Sequence, residues 1–289
     1  MKRKILLLAA LLLTNLVMAH VNPGNKKSRT DEEERIQFRN DCVGGLAQRD
    51  LAVNNVRARL TTGGDVWWNG NEGRYVVPKV PPGVPEVSAI FAGAVWLGGV
   101  DDGDNLKVAA QTFGRQTGAF DFYPGPLNEE LDPVVAGTTN KETCSNWDKF
   151  FTVTAQEIDQ HLRNYQESIN NGEPYDITSV PLGVLGWPGK ENPFFFDVHG
   201  FEMPPAQRGM AGFFDESGDG IYNPVEGDYP IIEIRGCETP QYPDEMVFWV
   251  YNDNGNIHEE TQGTPIKMEI QVQAFAYATN DQLRACSGI

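Results

Sequence analysis

Positive charge is scarce in this sequence: 23 Lys and Arg stand against 40 Asp and Glu, a formal net charge of −17. A chain of that balance is repelled by nucleic-acid phosphates and by anionic lipid, so neither is an expected partner. Histidine is rarer still, with 4 in 289 residues, and none falls in an HExxH or a zinc-type spacing with cysteine. The 4 cysteines form no CxxC. There is also no P-loop, no nucleophile elbow and no GxGxxG between a strand and a helix, so no catalytic class is marked by its usual motif.

Apolar runs of membrane-spanning length are missing. Ile5 to Leu13 follows Lys2, Arg3 and Lys4 and exits through Val17-Met18-Ala19. That is the pattern of a secretory signal over residues 1–19, too short to span a bilayer. With it removed, no transmembrane segment is expected and the charge becomes −20. Residues 20–52, containing NPGNKKSRTDEEER, read as a polar linker, and 53–289 as one β-rich domain. Export makes disulfides permissible, and four cysteines allow three pairings. Cys144 with Cys237 is the expected one, because both lie inside the patterned body while Cys42 and Cys286 sit near its ends.

What the chain does have is oxygen-bearing side chains concentrated in one loop, FFDESGDGIYNPVEGDYP at 213–230. Counted from Asp215, they fall at positions 1 (Asp215), 3 (Ser217), 5 (Asp219), 9 (Asn223) and 12 (Glu226), with Gly220 at 6. This is the spacing of a calcium loop: the ion takes six to eight hard oxygen ligands, and a glycine at 6 permits the sharp turn. Ile221 would contribute its carbonyl at position 7, Asn223 would act through water, Glu226 would close the site, and Asp228 is an outside candidate. Pro224 and Tyr229-Pro230 exclude the flanking helices of an EF-hand, so the loop is expected to stand free between β elements. A structural Ca2+ is the one cofactor expected. The simpler alternative is that Asp, Asn, Ser and Gly merely make turns.

Strand patterns dominate the remainder. Val56, Ala58 and Leu60 alternate with polar residues, and Val66-Trp67-Trp68 and Tyr75-Val76-Val77 flank Asn69-Gly70 as a hairpin. Pro78 to Pro85 is an extended crossing outside any ladder. Val87 to Val100 is almost continuously apolar and reads as a buried strand. Asp101, Asp102 and Asp104 form a DDGD turn, a weaker candidate for a second cation. Met246 to Tyr251 and Ile266 to Tyr277 are strands joined by a connection with Asn254-Gly255 at its tip. One helix is clear: Thr154 and Glu157 make a capping box, Ile158, Leu162, Tyr165 and Ile169 follow at helical spacing, and Gly172 stops it. Pro174 to Gln207 has little regular pattern and needs something to order it, for which a bound ion is one candidate. The expected fold is mainly β, a β-sandwich or jelly-roll-like body with one peripheral amphipathic helix and long loops.

Two other functions compete with a calcium-stabilised structural module. Trp67, Trp68, Trp96, Trp187 and Trp249 in an exported β protein suggest carbohydrate binding. A glycoside hydrolase would need paired carboxylates, and nothing in the sequence identifies the pair; Asp197 and His199 share a face if 194–201 is extended, with Glu202 near, but a surface acid beside a satisfied histidine is the commoner arrangement.

The segments NNVRARLTTGGDVWWNG (54–70), AIFAGAVWLGG (89–99), LKVAAQTF (106–113), DFYPGPL (121–127), FFDESGDGIYNPVEGDYP (213–230) and VYNDNGNIHEETQGTPI (250–266) resemble the amino-terminal region of large exported surface proteins of Bacteroidota, of the type IX secretion kind. The resemblance implies a secreted or cell-surface, non-enzymatic, adhesin-like module that meets a protein or glycan partner. It also implies a longer multidomain parent with a carboxy-terminal sorting domain, which this sequence lacks. The pattern is left after Asn280-Asp281, so a truncated chain is expected, periplasmic if it ends at Ile289.

Overall fold

Met246 to Tyr251 carries apolar or aromatic side chains at every position, and alternate strand residues face opposite sides of a sheet. Such a segment is stable only if both faces are covered. The computed structural model, which describes residues 41–112, 118–130, 135–205, 209–232 and 242–278, places it at the centre of the fold. The chain clusters into two units, Met1–Gln37 and Phe38–Ile289, and every described residue belongs to the second. The leader expected at 1–19, together with Cys237 and Cys286, lies outside the described residues.

The strands in chain order are β1 (Gln48–Leu51), β2 (Arg57–Thr61), β3 (Asp65–Val66), β4 (Tyr75–Val76), β5 (Ser88–Ile90), β6 (Gly93–Ala94), β7 (Trp96–Val100), β8 (Leu106–Ala110), β9 (Tyr123–Pro124), β10 (Phe151–Thr154), β11 (Phe213–Phe214), β12 (Tyr229–Pro230), β13 (Glu245–Asn252) and β14 (Glu269–Ala276). All pairings between them are antiparallel. One sheet runs β1-β2-β4-β5, and a second runs β10-β13-β14 with β9 also on β13; the ribbons β3-β6, β7-β8 and β11-β12 stand apart. The mainly β expectation therefore holds.

Every residue of β13 is buried. Met246, Phe248 and Val250 face a cluster built from Trp147, Ile158, Val184, Trp187, Phe195 and Tyr222, which are helix and loop residues. Val247, Trp249 and Tyr251 face Leu51, Leu60, Ala109 and Phe122, which come from the β half of the chain. At about 1.5 to 3 kcal/mol for each large side chain taken out of water, this strand is a major term in the stability of the body.

The clear helix is α2 (Ala155–Asn171), preceded by α1 (Lys141–Trp147). Both halves of the Thr154–Glu157 capping box form, and Gly172 ends α2 in the left-handed region at φ 68°. Ile158 is fully buried and Leu162 packs on the same core, whereas Ile169 is exposed because the last turns of α2 project beyond it.

Several expectations need correction. Cys144 is bonded to Cys42, not to Cys237: the Cα atoms are 5.7 Å apart across a sequence separation of 102. Residues 42–51 accordingly belong to the body and not to a linker; the amides of Leu46 and Ala47 donate to Asp148, and β1 pairs with β2. Residues 87–100 form no buried strand. They make three short strands, with Val87, Phe91, Trp96 and Val100 exposed, because β7 pairs only with β8 and buries just the side bearing Leu97. A tight turn does form at 69–72, but β3 pairs with β6 instead of β4. Residues 174–205 are ordered by their own anchors: Val184, Trp187 and Phe195 are buried, and the Asn192 amide bonds the carbonyls of Leu185 and Trp187.

Candidate metal centre

The acidic loop is closed at its neck by β11 and β12, with Phe213 opposite Pro230 and Phe214 opposite Tyr229. Phe214 and Tyr229 stack at 4.9 Å between ring centroids. Within the loop the acids first satisfy the backbone, as Asp does in turns. Asp215 Oδ1 accepts from Gly218 N at 2.7 Å, and its Oδ2 from Gly220 N, also at 2.7 Å. These amides, that of Gly220 foremost, hold its carboxyl below the usual carboxylate range. Asp219 Oδ1 accepts from Ile221 N at 2.8 Å. The turn runs through Gly218 at φ 76° and Gly220 at φ 79°, a region that side chains rarely adopt.

Asp228 is the buried acid of the loop, without solvent exposure. It accepts from Glu216 N at 2.9 Å and Asn223 N at 2.7 Å. Burial pushes its pKa up to about 6 against those amides, and the charges of Asp215 and Asp219 add to the rise. Asn223 buries its Oδ1 with no hydrogen-bond partner. Glu226 lies exposed at the end of a single 3-10 turn, Pro224–Glu226. Ser217 Oγ is 3.4 Å from Asp215 Oδ1. Asp215, Asp219 and Asp228 thus share one neighbourhood, yet among the described residues no three acid, His or Cys side chains are gathered closely enough to enclose a metal.

Two aromatic anchors fix the loop to the body. Tyr222 is fully buried; its Oη donates to Val184 O at 2.6 Å and its amide to Lys190 O at 2.8 Å. On the other side, Gly227 at φ 101° lies so close to the ring of Tyr165 on α2 that a β-carbon would overlap it. His161, one turn earlier, is buried with Nδ1 3.1 Å from Tyr175 Oη and faces the backbone of Gly227 and Asp228. Desolvation brings its pKa down to about 4.

No family model, curated protein or solved structure matches this chain.

The loop's donors are hard oxygens, the kind that calcium takes, although they are not drawn around one point. A carboxylate has about four lone-pair positions, so hydrogen bonds to amides leave Asp215, Asp219 and Asp228 with capacity for an ion. Asn223 Oδ1 is a buried acceptor still lacking a donor. Were calcium to bind, the expected set of Asp215, Ser217, Asp219, the Ile221 carbonyl, Asn223 and Glu226 would have to draw together, with Asp228 as the buried acid beside them.

The other candidates are dispersed. Residues 195–199 are helical, not extended; Asp197 is exposed, and His199 turns away with Nε2 2.7 Å from Gly186 O and Nδ1 3.1 Å from Lys149 Nζ. Burial lowers the pKa of both His199 and Lys149. Trp68, Trp187 and Trp249 are core residues. Trp67 packs edge-on to Tyr75 at 5.3 Å. Trp96 alone of the five is openly exposed, at 72 %, with its indole N–H held by Gln111 O. The DDGD segment is a hairpin turn in which Asp101 accepts from the amides of Gly103 and Asn105. Sequence reasoning missed Tyr222, whose signal was a lone aromatic between expected ligand positions. It also missed the buried set of Asp121, Asp253 and His258, which no local pattern marks.

Proposed function

We propose that the chain is a non-enzymatic structural and interaction module of an exported cell-surface protein, a β-sandwich or jelly-roll type of body whose 213–230 loop is closed by calcium. One observation carries this reading: Asp215, Asp219 and Asp228 crowd one loop that also buries the unpartnered Oδ1 of Asn223. The charges of Asp215 and Asp219 add to the cost of ionising buried Asp228, and a dication bound among them would reverse that sign. The Cys42–Cys144 disulfide supports an oxidising destination, in keeping with a signal peptide and with the Bacteroidota surface-protein resemblance. The ion's role is structural, tying the loop's acids to the segment that Tyr222 grips. Thermal melting with millimolar calcium against chelator tests the proposal. Extracellular sites bind at about 10⁻⁴ to 10⁻³ M, so about 1 mM calcium adds roughly 0.4 to 1.4 kcal/mol. An unchanged melting temperature would remove calcium from the account.

A second reading, carbohydrate binding, rests on Trp96. An exposed indole whose N–H is already engaged presents a fixed ring face, which is what stacking on a sugar requires. A glycan array bound by the wild type and not by Trp96→Ala supports it; no binding by the wild type dismisses it.

A further inference from the structure

His258 sits in the body with no solvent exposure of its side chain, and both ring nitrogens lie 2.6 Å from carbonyl oxygens, Nδ1 from that of Val108 and Nε2 from that of Asp253. A carbonyl oxygen only accepts. A neutral imidazole, with one N–H and one lone pair, satisfies one such contact and sets lone pair against lone pair at the other. Two fully buried carboxylates complete the shell, Asp121 Oδ2 at 3.8 Å from Nδ1 and Asp253 Oδ2 at 3.9 Å from Nε2. We infer that His258 is a buried imidazolium that latches the connection between β13 and β14 onto β8, and that this latch opens when the ring gives up a proton.

Each partner of the cation grips a different stretch. Asp121 accepts from Ala110 N of β8 at 3.0 Å, from Glu260 N at 2.9 Å and from Thr261 Oγ1 at 2.6 Å. Asp253 accepts from Ile266 N and Met268 N, both at 2.6 Å. Both carboxylates therefore act purely as acceptors, and the charge that balances them is the ring between them. Burial pushes Asp253 toward its neutral form, while the two amides and His258 pull it back. Of the other ionisable groups on these segments, Tyr123 feels the charges of Glu259 and Asp121, Glu260 accepts from Thr112 Oγ1, the Lys107 ammonium in β8 is engaged by Asp101, and Lys267 stands between the two residues whose amides Asp253 accepts. When the ring loses its proton to solvent, one contact becomes repulsive and two buried carboxylates lose their counter-charge, so residues 252–268 are released as a unit.

Long-range proton–nitrogen correlation NMR of the histidine rings reads the first half directly in the wild-type protein. Both His258 nitrogens are expected to carry protons at neutral pH; a lone pair on either one overturns the assignment. Amide exchange reads the second half. Corrected for the intrinsic pH dependence, protection at Ile266 and Met268 should fall by at least about tenfold as the ring deprotonates on raising the pH, because a buried acceptor is left unsatisfied. Protection that stays constant through that titration overturns the latch. His258→Gln, where it folds, should reproduce the high-pH exchange of the wild type already at neutral pH and abolish its pH dependence; retained wild-type protection refutes the proposal.

Discussion

The phenol of Tyr222, set among the acids of the 213–230 loop, donates to the carbonyl of Val184, 38 residues earlier in the chain, at 2.6 Å. Its ring also covers Gly189, where any β-carbon would collide with it. This one side chain joins the acidic loop to the irregular segment before it. Tyr222→Phe keeps the ring and loses the bond, so urea unfolding should show a loss of about 0.5 to 1.5 kcal/mol. Tyr222→Ala empties the site and should cost about 3 to 5 kcal/mol. Equal effects of the two would mean that the ring contributes nothing.

Gly220 and Gly227 separate backbone strain from crowding. Both have positive φ, but nothing lies within 4 Å of a β-carbon at Gly220, whereas one at Gly227 overlaps Tyr165. Gly220→Ala should therefore cost only the left-handed penalty, about 1 to 2 kcal/mol, and Gly220→Asn less, since Asn tolerates that region. Gly227→Ala should cost more than Gly220→Ala, and the double variant Gly227→Ala, Tyr165→Ala should show coupling between the two sites. Denaturation midpoints of the set decide it.

How far the sequence could be read depended on the range of the signal. Helix α2 was legible because its start and stop are written within a few residues, Thr154 with Glu157 and then Gly172. β13 was legible because a strand with both faces apolar has one place to go. The loop acids were legible by spacing, but their division of labour was not: nothing local distinguishes Asp228, which is buried, from Glu226, which is exposed. Residues 87–100 misled because an apolar run marks burial only when a second layer covers it, and β7 has none on the side of Trp96. The connection after β13 misled in the opposite sense. Asn254-Gly255 looks like a solvent-facing tip, yet Asn254 is buried with its amide on Gly137 O, and Gly255 lies against Tyr123. Cysteine pairing, like the set around His258, is settled by tertiary proximity alone.

The Cys42–Cys144 bond closes a loop across a separation of 102 residues. On the chain-entropy model a loop of that size contributes about 4 to 5 kcal/mol by restricting the unfolded chain. Peptide mapping without reduction should recover the Cys42 and Cys144 peptides linked. Cys42→Ala should lower the unfolding free energy by that order and loosen residues 42–51, read as faster amide exchange at Leu46 and Ala47. Recovery of a Cys144–Cys237 peptide instead would contradict the pairing.

His161 gives stability a dependence on acid. Its pKa falls from about 6.5 in the unfolded chain to about 4 in the fold, because the buried ring resists protonation. A depressed value contributes stability that is fully present above 6.5 and is lost as pH falls through that window toward 4. The loss is at most about 3 kcal/mol. His161→Gln cannot titrate there and should flatten that part of the curve of unfolding free energy against pH. A curve identical to that of the wild type would mean that other groups set the acid limit.

Asp228 distinguishes an ion-binding loop from a mere turn. In a turn, Asp228→Asn removes a carboxylate that burial and the charges of Asp215 and Asp219 disfavour, and the amide still offers one acceptor to Glu216 N or Asn223 N. The gain and the loss oppose one another, so stability in chelator should change by no more than about 1 kcal/mol. In an ion site the same substitution removes a charged ligand, and the calcium-dependent rise in melting temperature should shrink or vanish. Glu226→Gln, at an exposed position, tests whether the twelfth position of the spacing takes part at all. The decisive measurement is calorimetric titration of calcium into wild type, Asp228→Asn and Glu226→Gln under one set of conditions. Loss of binding in Asp228→Asn alone places the buried acid at the centre of the site, and loss in Glu226→Gln alone restores the EF-hand-like ligand order. Equal binding by all three would mean that calcium, if it binds, does so elsewhere.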